Sequence, residues 1–279
     1  MVGSQRGLGY RVTRFVYLAV LTVGALAMFI PFLWSLSTSL KPLGESVAYP
    51  PIWWPHPFVW HNFVTIWHMV PLGHWFINSL VVGGTVTLGN LVFDSLAGYA
   101  LARIPFRGQQ VLLMGIVAML MIPFQSVMLP VYIVLRDLHL LDSYSGLILP
   151  TIVSAMGVFL MRQAFLNIPM ELEDAARIDG AGRWRMYAQI ALPAVQPTLL
   201  TLALMIFMAS WNNFLLPLLV ANREHLWTLP LGIVMFQQLY FVNWPFLMAA
   251  SVLATVPIAV VFLLFQKWFV QGVVTTGLK

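Results

Sequence analysis

Six long apolar stretches, at roughly 14–36, 75–102, 111–135, 146–165, 194–220 and 246–269, decide what this chain can become. A helix needs about 20 mostly apolar residues to cross a bilayer, and each stretch reaches that length. In hydrocarbon every backbone N–H and C=O must find its partner inside the protein, which leaves the helix as the form for such segments. Composition agrees: 60% of the residues are hydrophobic and 8% are charged, against about 25% charged in soluble domains. A water-soluble fold with that balance would expose large apolar patches. The expectation is an all-α membrane protein, a single domain over residues 1–279 with six transmembrane helices. Pro31, Pro123, Pro130, Pro217 and Pro257 fall inside the stretches and predict kinks.

Orientation follows from Lys and Arg, which favour the cytoplasmic side. With both termini inside, the cytoplasmic segments hold Arg6, Arg11, Arg14, Arg103, Arg107, Arg162, Arg177, Arg183, Arg185, Lys267 and Lys279. The outer loops hold only Lys41, Arg136 and Arg223. The basic residues sit at the ends of apolar runs rather than in one patch, which argues against nucleic acid as a partner. The first apolar run is too long for a signal-peptide core and has no small-x-small cleavage site, so it reads as an uncleaved first span. The first outer loop, "YPPIWWPHPFVWHNF", suits an extended segment at the lipid headgroups, where Trp is favoured. There is no cysteine, so thiol chemistry and disulfides are excluded.

Against this background residues 172–193, "LEDAARIDGAGRWRMYAQIALP", stand out for their charge. Asn167-Ile168-Pro169 reads as a helix start, with Pro in the first turn. Glu171, Glu173 and Asp174 then meet the positive end of the helix dipole. Glu173 and Arg177 have the i, i+4 spacing with the acid first. Gly180 ends the helix as a left-handed C-terminal residue. A second short helix is expected over about 182–191, stopped before Pro193. Leu172, Ala175 and Ala176 share one face of the first helix. Its two alanines would let another backbone approach closely, and spacing alone leaves a plain solvated loop helix as an equal reading.

The spacing Asp174-Ala175-Ala176, three residues, Gly180, nine residues, Ile190, one residue, Leu192-Pro193 resembles the EAA loop of ABC-importer permeases. The family has Glu-Ala-Ala, so Asp174 keeps the charge with a shorter reach. "GYALARIPFRG" (98–108), "WNNFLLPL" (211–218) and "FQKWFVQGVVTTGLK" (265–279) resemble the sugar-importer branch. The tail is similar to that of the smaller permease of maltose-type transporters, with Thr276 where Gly is common. The resemblance implies a type I ABC importer permease fold with a cytoplasmic coupling loop at 167–193. It implies that Glu173, Asp174, Ala175, Ala176, Asp179, Gly180, Ile190, Leu192 and Pro193 couple to an ATPase. Within the tail, 270–279, it implies ATPase contact through Gln271, Gly272, Gly277 and Lys279. The implied partners are a second homologous permease, two copies of a cytoplasmic ATPase and an extracytoplasmic sugar-binding protein. ATP and Mg would be held by the ATPase, with no cofactor on this chain. The implied location is the inner membrane of a bacterial cell.

Asn212 and Asn213 lie near the middle of the fifth stretch, where polar groups are costly and often line a pathway. With Trp211 and Phe214 they could offer hydrogen bonds and an aromatic face to a sugar. Asp94 is the only carboxylate well inside a span, which a proton-coupled carrier would need, but it lacks a second intramembrane charge. The six histidines, His56, His61, His68, His74, His139 and His225, show no metal spacing. "GGTVTLGN" (83–90) lacks the Gly-Lys-Ser/Thr of a phosphate loop. Paired catalytic groups are missing, so an enzyme is not expected. The expectation is a permease that moves a di- or oligosaccharide by alternating access. The alternatives are the same machine for another solute, such as a glycerol-phosphate ester, or a proton-coupled carrier.

Overall fold

The structure is a computed structural model that describes residues 8–239 and 243–277. Every regular element among them is helical. In chain order the α-helices are α1 (Leu8–Ser39), α2 (Leu43–Ser46), α3 (His61–Met69), α4 (Leu72–Arg103), α5 (Gln109–Met119), α6 (Phe124–Asp137), α7 (Tyr144–Ile148) and α8 (Ala155–Leu166). They continue with α9 (Met170–Ile178), α10 (Arg183–Met186), α11 (Leu192–Ala194), α12 (Gln196–Trp211), α13 (Leu215–Val220), α14 (Leu229–Leu239) and α15 (Trp244–Gly277).

Three of these, α1, α4 and α15, contain stretches long and apolar enough to cross a membrane. Three more segments reach that length only as bent pairs. Helices α5 and α6 meet at 104°, Tyr144–Thr151 meets α8 at 44°, and Arg183–Ala194 meets α12 at 78°. Counting each pair as one crossing gives six.

The stretch at 111–135 is therefore not one kinked helix. The chain leaves the helix ahead of Pro123, which takes an extended conformation and opens α6. Residues 194–220 are also divided. Helix α12 ends at Trp211, and Asn213 Oδ1 accepts from the Leu216 N–H to start α13. Pro217 then lies in the first turn of α13, where a missing N–H costs no helical bond. Pro193 behaves in the opposite way, because the helix runs through it. A π-turn over Tyr187–Ala191 precedes it, with the Leu192 N–H bonded to Tyr187 O. Widening the turn to i→i+5 relieves the clash of a proline ring with the carbonyl four residues back.

The chain divides into two compact units, one with the residues up to Val70 and Phe236–Leu253, the other with Pro71–Met235 and the residues from Ala254. In the first unit, α1 is apolar and exposed from Phe15 through Leu33, as a lipid-facing helix should be. At its end Asn62 donates to Ser39 O and Lys41 O at 2.8 and 2.9 Å. The Lys41 ammonium lies 4.1 Å from the centre of the Trp34 ring, and Trp34 meets Trp53 edge-on at 4.9 Å. Burial pushes the Lys41 pKa down, and Glu45 opposes the shift. Trp53, Trp54 and Trp60 are exposed.

The second unit is organised on α4. One face of this helix is apolar and exposed at Ile77, Leu80, Val81, Leu88 and Val92. The other is buried and carries Asn78, Ser79, Asn90, Asp94 and Ser95. Each of these polar side chains serves a neighbouring segment. Asn78 donates to His225 O and Trp227 O, and Ser79 Oγ accepts from the Leu229 N–H. Asn90 donates to Thr151 O, Asp94 accepts from the Ser154 N–H, and Ser95 pairs with the Tyr187 hydroxyl. Broken helices free backbone groups that lipid cannot satisfy, and α4 supplies the partners. Close packing against α8 is set by glycine: a Cβ at Gly98 would lie 2.7 Å from Met161 Cβ, and one at Gly157 1.9 Å from Asp94 Oδ2.

Candidate functional site

The charged loop folds as a short helix, α9, followed by a turn and α10. Pro169 precedes the first helical residue in extended geometry, and Glu171 and Glu173 stand in the first turn. Gly180 has φ +77°. Its N–H bonds to Arg177 O, and the Ala181 N–H bonds to Ala176 O. These are the two bonds of a Schellman ending, which requires the left-handed residue.

Glu173 does not pair with Arg177. Asp174 does, at i, i+3 and 3.1 Å on the exposed side. Glu173 points inward and meets Arg103 at the end of α4, with Nε 2.9 Å from Oε1 and both side chains nearly fully buried. The approach is an ion pair without hydrogen-bond alignment. The same guanidinium donates to Phe165 O and Ile168 O at the end of α8 and to Met170 Sδ. One side chain thus holds α4, α8 and α9 together. Arg103 was not among the expected site residues. The signal available was an Arg closing a long apolar run, which also fits an ordinary cytoplasmic anchor.

The outer side of the loop is exposed and partly apolar. Ile178 is 87% exposed and Trp184 69%, with Leu172 and Met170 about half exposed. Asp174, Ala175, Asp179 and Gly180 are also exposed, and Ala176 is half-buried. Ile190, Leu192 and Pro193 lie at the far end, on the helix that enters α12, with Tyr187 and Ala191 packed inward. Of the tail, Gln271, Gly272 and Gly277 lie along α15; their side chains, and all of Lys279, lie outside the described residues.

The four residues expected along a pathway separate. Trp211 is buried, donates to Ala254 O and meets Phe76 edge-on. Phe214 packs with Ala221, Leu226 and Leu231. Asn212 is exposed and donates to Met208 O. Asn213 lines a cleft of about 250 Å³ with Val86, Thr151, Ser154, Ile206 and Ser210. Among the described residues no group of three His, Asp or Glu is placed to hold a metal ion.

Broken apolar helices stitched by a polar spine, with a capped charged helix beyond α8, define a multi-pass membrane protein. The chain belongs to the family of binding-protein-dependent transport system inner membrane components, whose sequence model matches residues 94–275. It is 35% identical to an arabinooligosaccharides transport system permease protein of Halalkalibacterium halodurans, over 95% of this chain and 94% of that one. It is 33% identical to an sn-glycerol-3-phosphate transport system permease protein of Yersinia pestis, over 98% and 99% of the two chains. A crystal structure of a bacterial ABC transporter involved in the import of the acidic polysaccharide alginate shares its fold. That chain aligns with a TM-score of 0.82 at 22% identity over 96% of this chain and 100% of its own.

Proposed function

We propose that this chain is one of two permease subunits of an ATP-driven importer, and that its solute is a sugar, most simply a di- or oligosaccharide. An extracytoplasmic binding protein delivers the solute, and two copies of a cytoplasmic ATPase bind ATP and Mg. This chain contributes no catalytic group and no cofactor. The observation that carries the reading is the exposed face of α9, which offers Leu172 and Ile178 outside the spans, with Trp184 exposed on α10, while Arg103 ties the inner face of α9 to α4. Apolar residues exposed in water at that density mark a docking surface. Both termini lie in the cytoplasm on this reading, as the Lys and Arg distribution favours. Closure of the ATPase pair moves the docked helices, and the clamp at Arg103 passes that motion to α4 and α8. Glu173 serves the clamp, while Asp174, Ala175, Ala176, Asp179 and Gly180 face or shape the dock. Ile190, Leu192 and Pro193 form the return into α12, and Gln271, Gly272, Gly277 and Lys279 complete the ATPase contact.

Co-purification from gently extracted native membrane, followed by uptake in proteoliposomes, tests the proposal. An ATPase, a second permease and a solute-binding protein should accompany the tagged chain, and uptake of an arabinooligosaccharide should require ATP. A lone chain that transports without ATP would sink it.

A further inference from the structure

We infer that residues 43–69 form a membrane-surface anchor, which seats its aromatic side chains among the lipid headgroups beside the end of α1 and so fixes the depth of that helix. The need for an anchor is visible in α1 itself. Every residue from 13 to 33 is exposed, so over that length little of the chain packs on the helix. Apolar length alone does not set the tilt or depth of a span; neighbouring helices and interfacial side chains do. Burial begins only at the end of α1, with Thr38, Ser39, Leu40 and Lys41. The following segment is tied to that end. The Val59 N–H donates to Leu40 O at 2.8 Å, Asn62 donates to Ser39 O and Lys41 O, and Ser37 Oγ donates to Trp53 O. Within the segment, the Glu45 carboxylate accepts from the His56 N–H at 3.1 Å. Helix end and segment are one stapled body, and whatever holds the segment holds α1.

The surface chemistry selects lipid as the occupant. Tyr49 is 95% exposed, and Trp53, Trp54 and Trp60 are each more than half exposed. On α3 the exposed Val64 and Trp67 lie opposite the buried Asn62 and Ile66, so this short helix also turns apolar groups outward. Formal charge is kept off the surface. Between residues 42 and 70 the only Asp, Glu, Lys or Arg is Glu45, which is bonded to His56. Lys41 is fully buried, its ammonium over the Trp34 ring and without a hydrogen-bond partner. A docking site for a soluble protein has a polar rim and is commonly anchored by Arg; residues 42–70 contain no Arg. Trp and Tyr free of neighbouring charge suit the membrane boundary, where the ring meets acyl chains and the N–H or O–H meets headgroups. The indole N–H groups of Trp53, Trp54 and Trp60 find no acceptor among the described residues, and phospholipid carbonyls can accept them. The patch also continues the exposed apolar run of α1, because Trp34, which follows that run, meets Trp53 edge-on at 4.9 Å.

The chain has no native cysteine, so single-site probes test the placement. Trp54→Cys and Trp60→Cys each carry an environment-sensitive nitrobenzoxadiazole dye, read in the purified complex in nanodiscs of phosphatidylcholine and phosphatidylglycerol. Nitroxides placed near the lipid headgroup or deep in the acyl chain report depth, and iodide reports water. Leu88→Cys, on the exposed apolar face of α4, is the deep control, and Ile178→Cys is the water control. The expected result at 54 and 60 is quenching several-fold stronger by the shallow nitroxide than by the deep one, and several-fold weaker by iodide than at 178. The binding protein that co-purifies should leave both signals unchanged. Iodide quenching equal to that at 178, with no effect of either nitroxide, would overturn the anchor. So would a change at 54 and 60 on adding the binding protein, which would make the surface that protein's dock. Depth is read at Val23→Cys, exposed in the middle of α1. Replacing Trp53, Trp54 and Trp60 together by Ser should change its quenching by the deep nitroxide, and an unchanged signal would overturn the control of depth. The lipid measurements need no ATPase or solute, so failure of the importer reading leaves them decisive.

Discussion

Arg103 Nε lies 2.9 Å from Glu173 Oε1, with the two side chains 5% and 3% exposed. A buried ion pair is weak evidence for stability, but removing one partner strands the other and costs about 3–5 kcal/mol. Arg103→Ala and Glu173→Gln should each lower the thermal stability of the purified complex by that order. In complexes that still assemble, uptake should fall further than ATP hydrolysis, because α9 can then move without α4. Arg103→Lys should not rescue: a lysine is a point donor and cannot reach the carboxylate and two carbonyls in one planar fork. Full uptake in the lysine variant would argue against a clamp.

Gly180 can be tested on conformation alone. A Cβ there would meet no atom within 4 Å, yet φ is +77°. A β-branched residue in that region costs about 1–2 kcal/mol. Gly180→Val should therefore distort the turn and uncouple hydrolysis from uptake while the chain still inserts, and Gly180→Asn should be milder. Normal transport by the valine variant would count heavily against a coupling role for the loop.

Ile178 offers a separate test of docking. Covering an isoleucine side chain contributes roughly 1.5–3 kcal/mol. Ile178→Ser should weaken association with the ATPase by about 10- to 100-fold, measured by titration of the ATPase onto permease in nanodiscs. It should leave the permease's own melting temperature nearly unchanged.

Gly157 and Asp94 should behave as a coupled pair. A methyl at 157 would lie 1.9 Å from Asp94 Oδ2, and overpacking of this kind costs about 1–3 kcal/mol. Gly157→Ala should lower folded yield. Asp94→Ala in the same chain should recover part of it by freeing the space, even though the Ser154 N–H loses its acceptor. A strictly additive double variant would show that the contact carries no energy of its own.

Asp94 also separates an importer from a proton-coupled carrier. Its place beside Ser154 is that of an acceptor, and an amide oxygen can accept the same N–H. Asp94→Asn should keep most of the uptake across pH, measured in proteoliposomes with and without a proton gradient. Abolished uptake in a well-folded Asn variant would return this carboxylate to the centre of the mechanism.

Much of this molecule could be read from local pattern. Apolar length marks the spans, because the bilayer sets one thickness for all of them. The turn at Gly180 is legible because its left-handed conformation is a property of single residues. The EAA-like spacing places the charged loop for the same local reason. The tertiary structure decided the rest. Hydropathy counts apolar residues without direction, so it cannot say that α5 and α6 fold back at 104° or that the helix survives Pro193 on a π-turn. It also cannot choose Arg103 over Arg177 as the partner of Glu173, or separate a structural Trp211 from a cleft-lining Asn213. A polar group inside a span declares that it needs a partner, but that partner comes from a distant segment and exists only once the helices have packed.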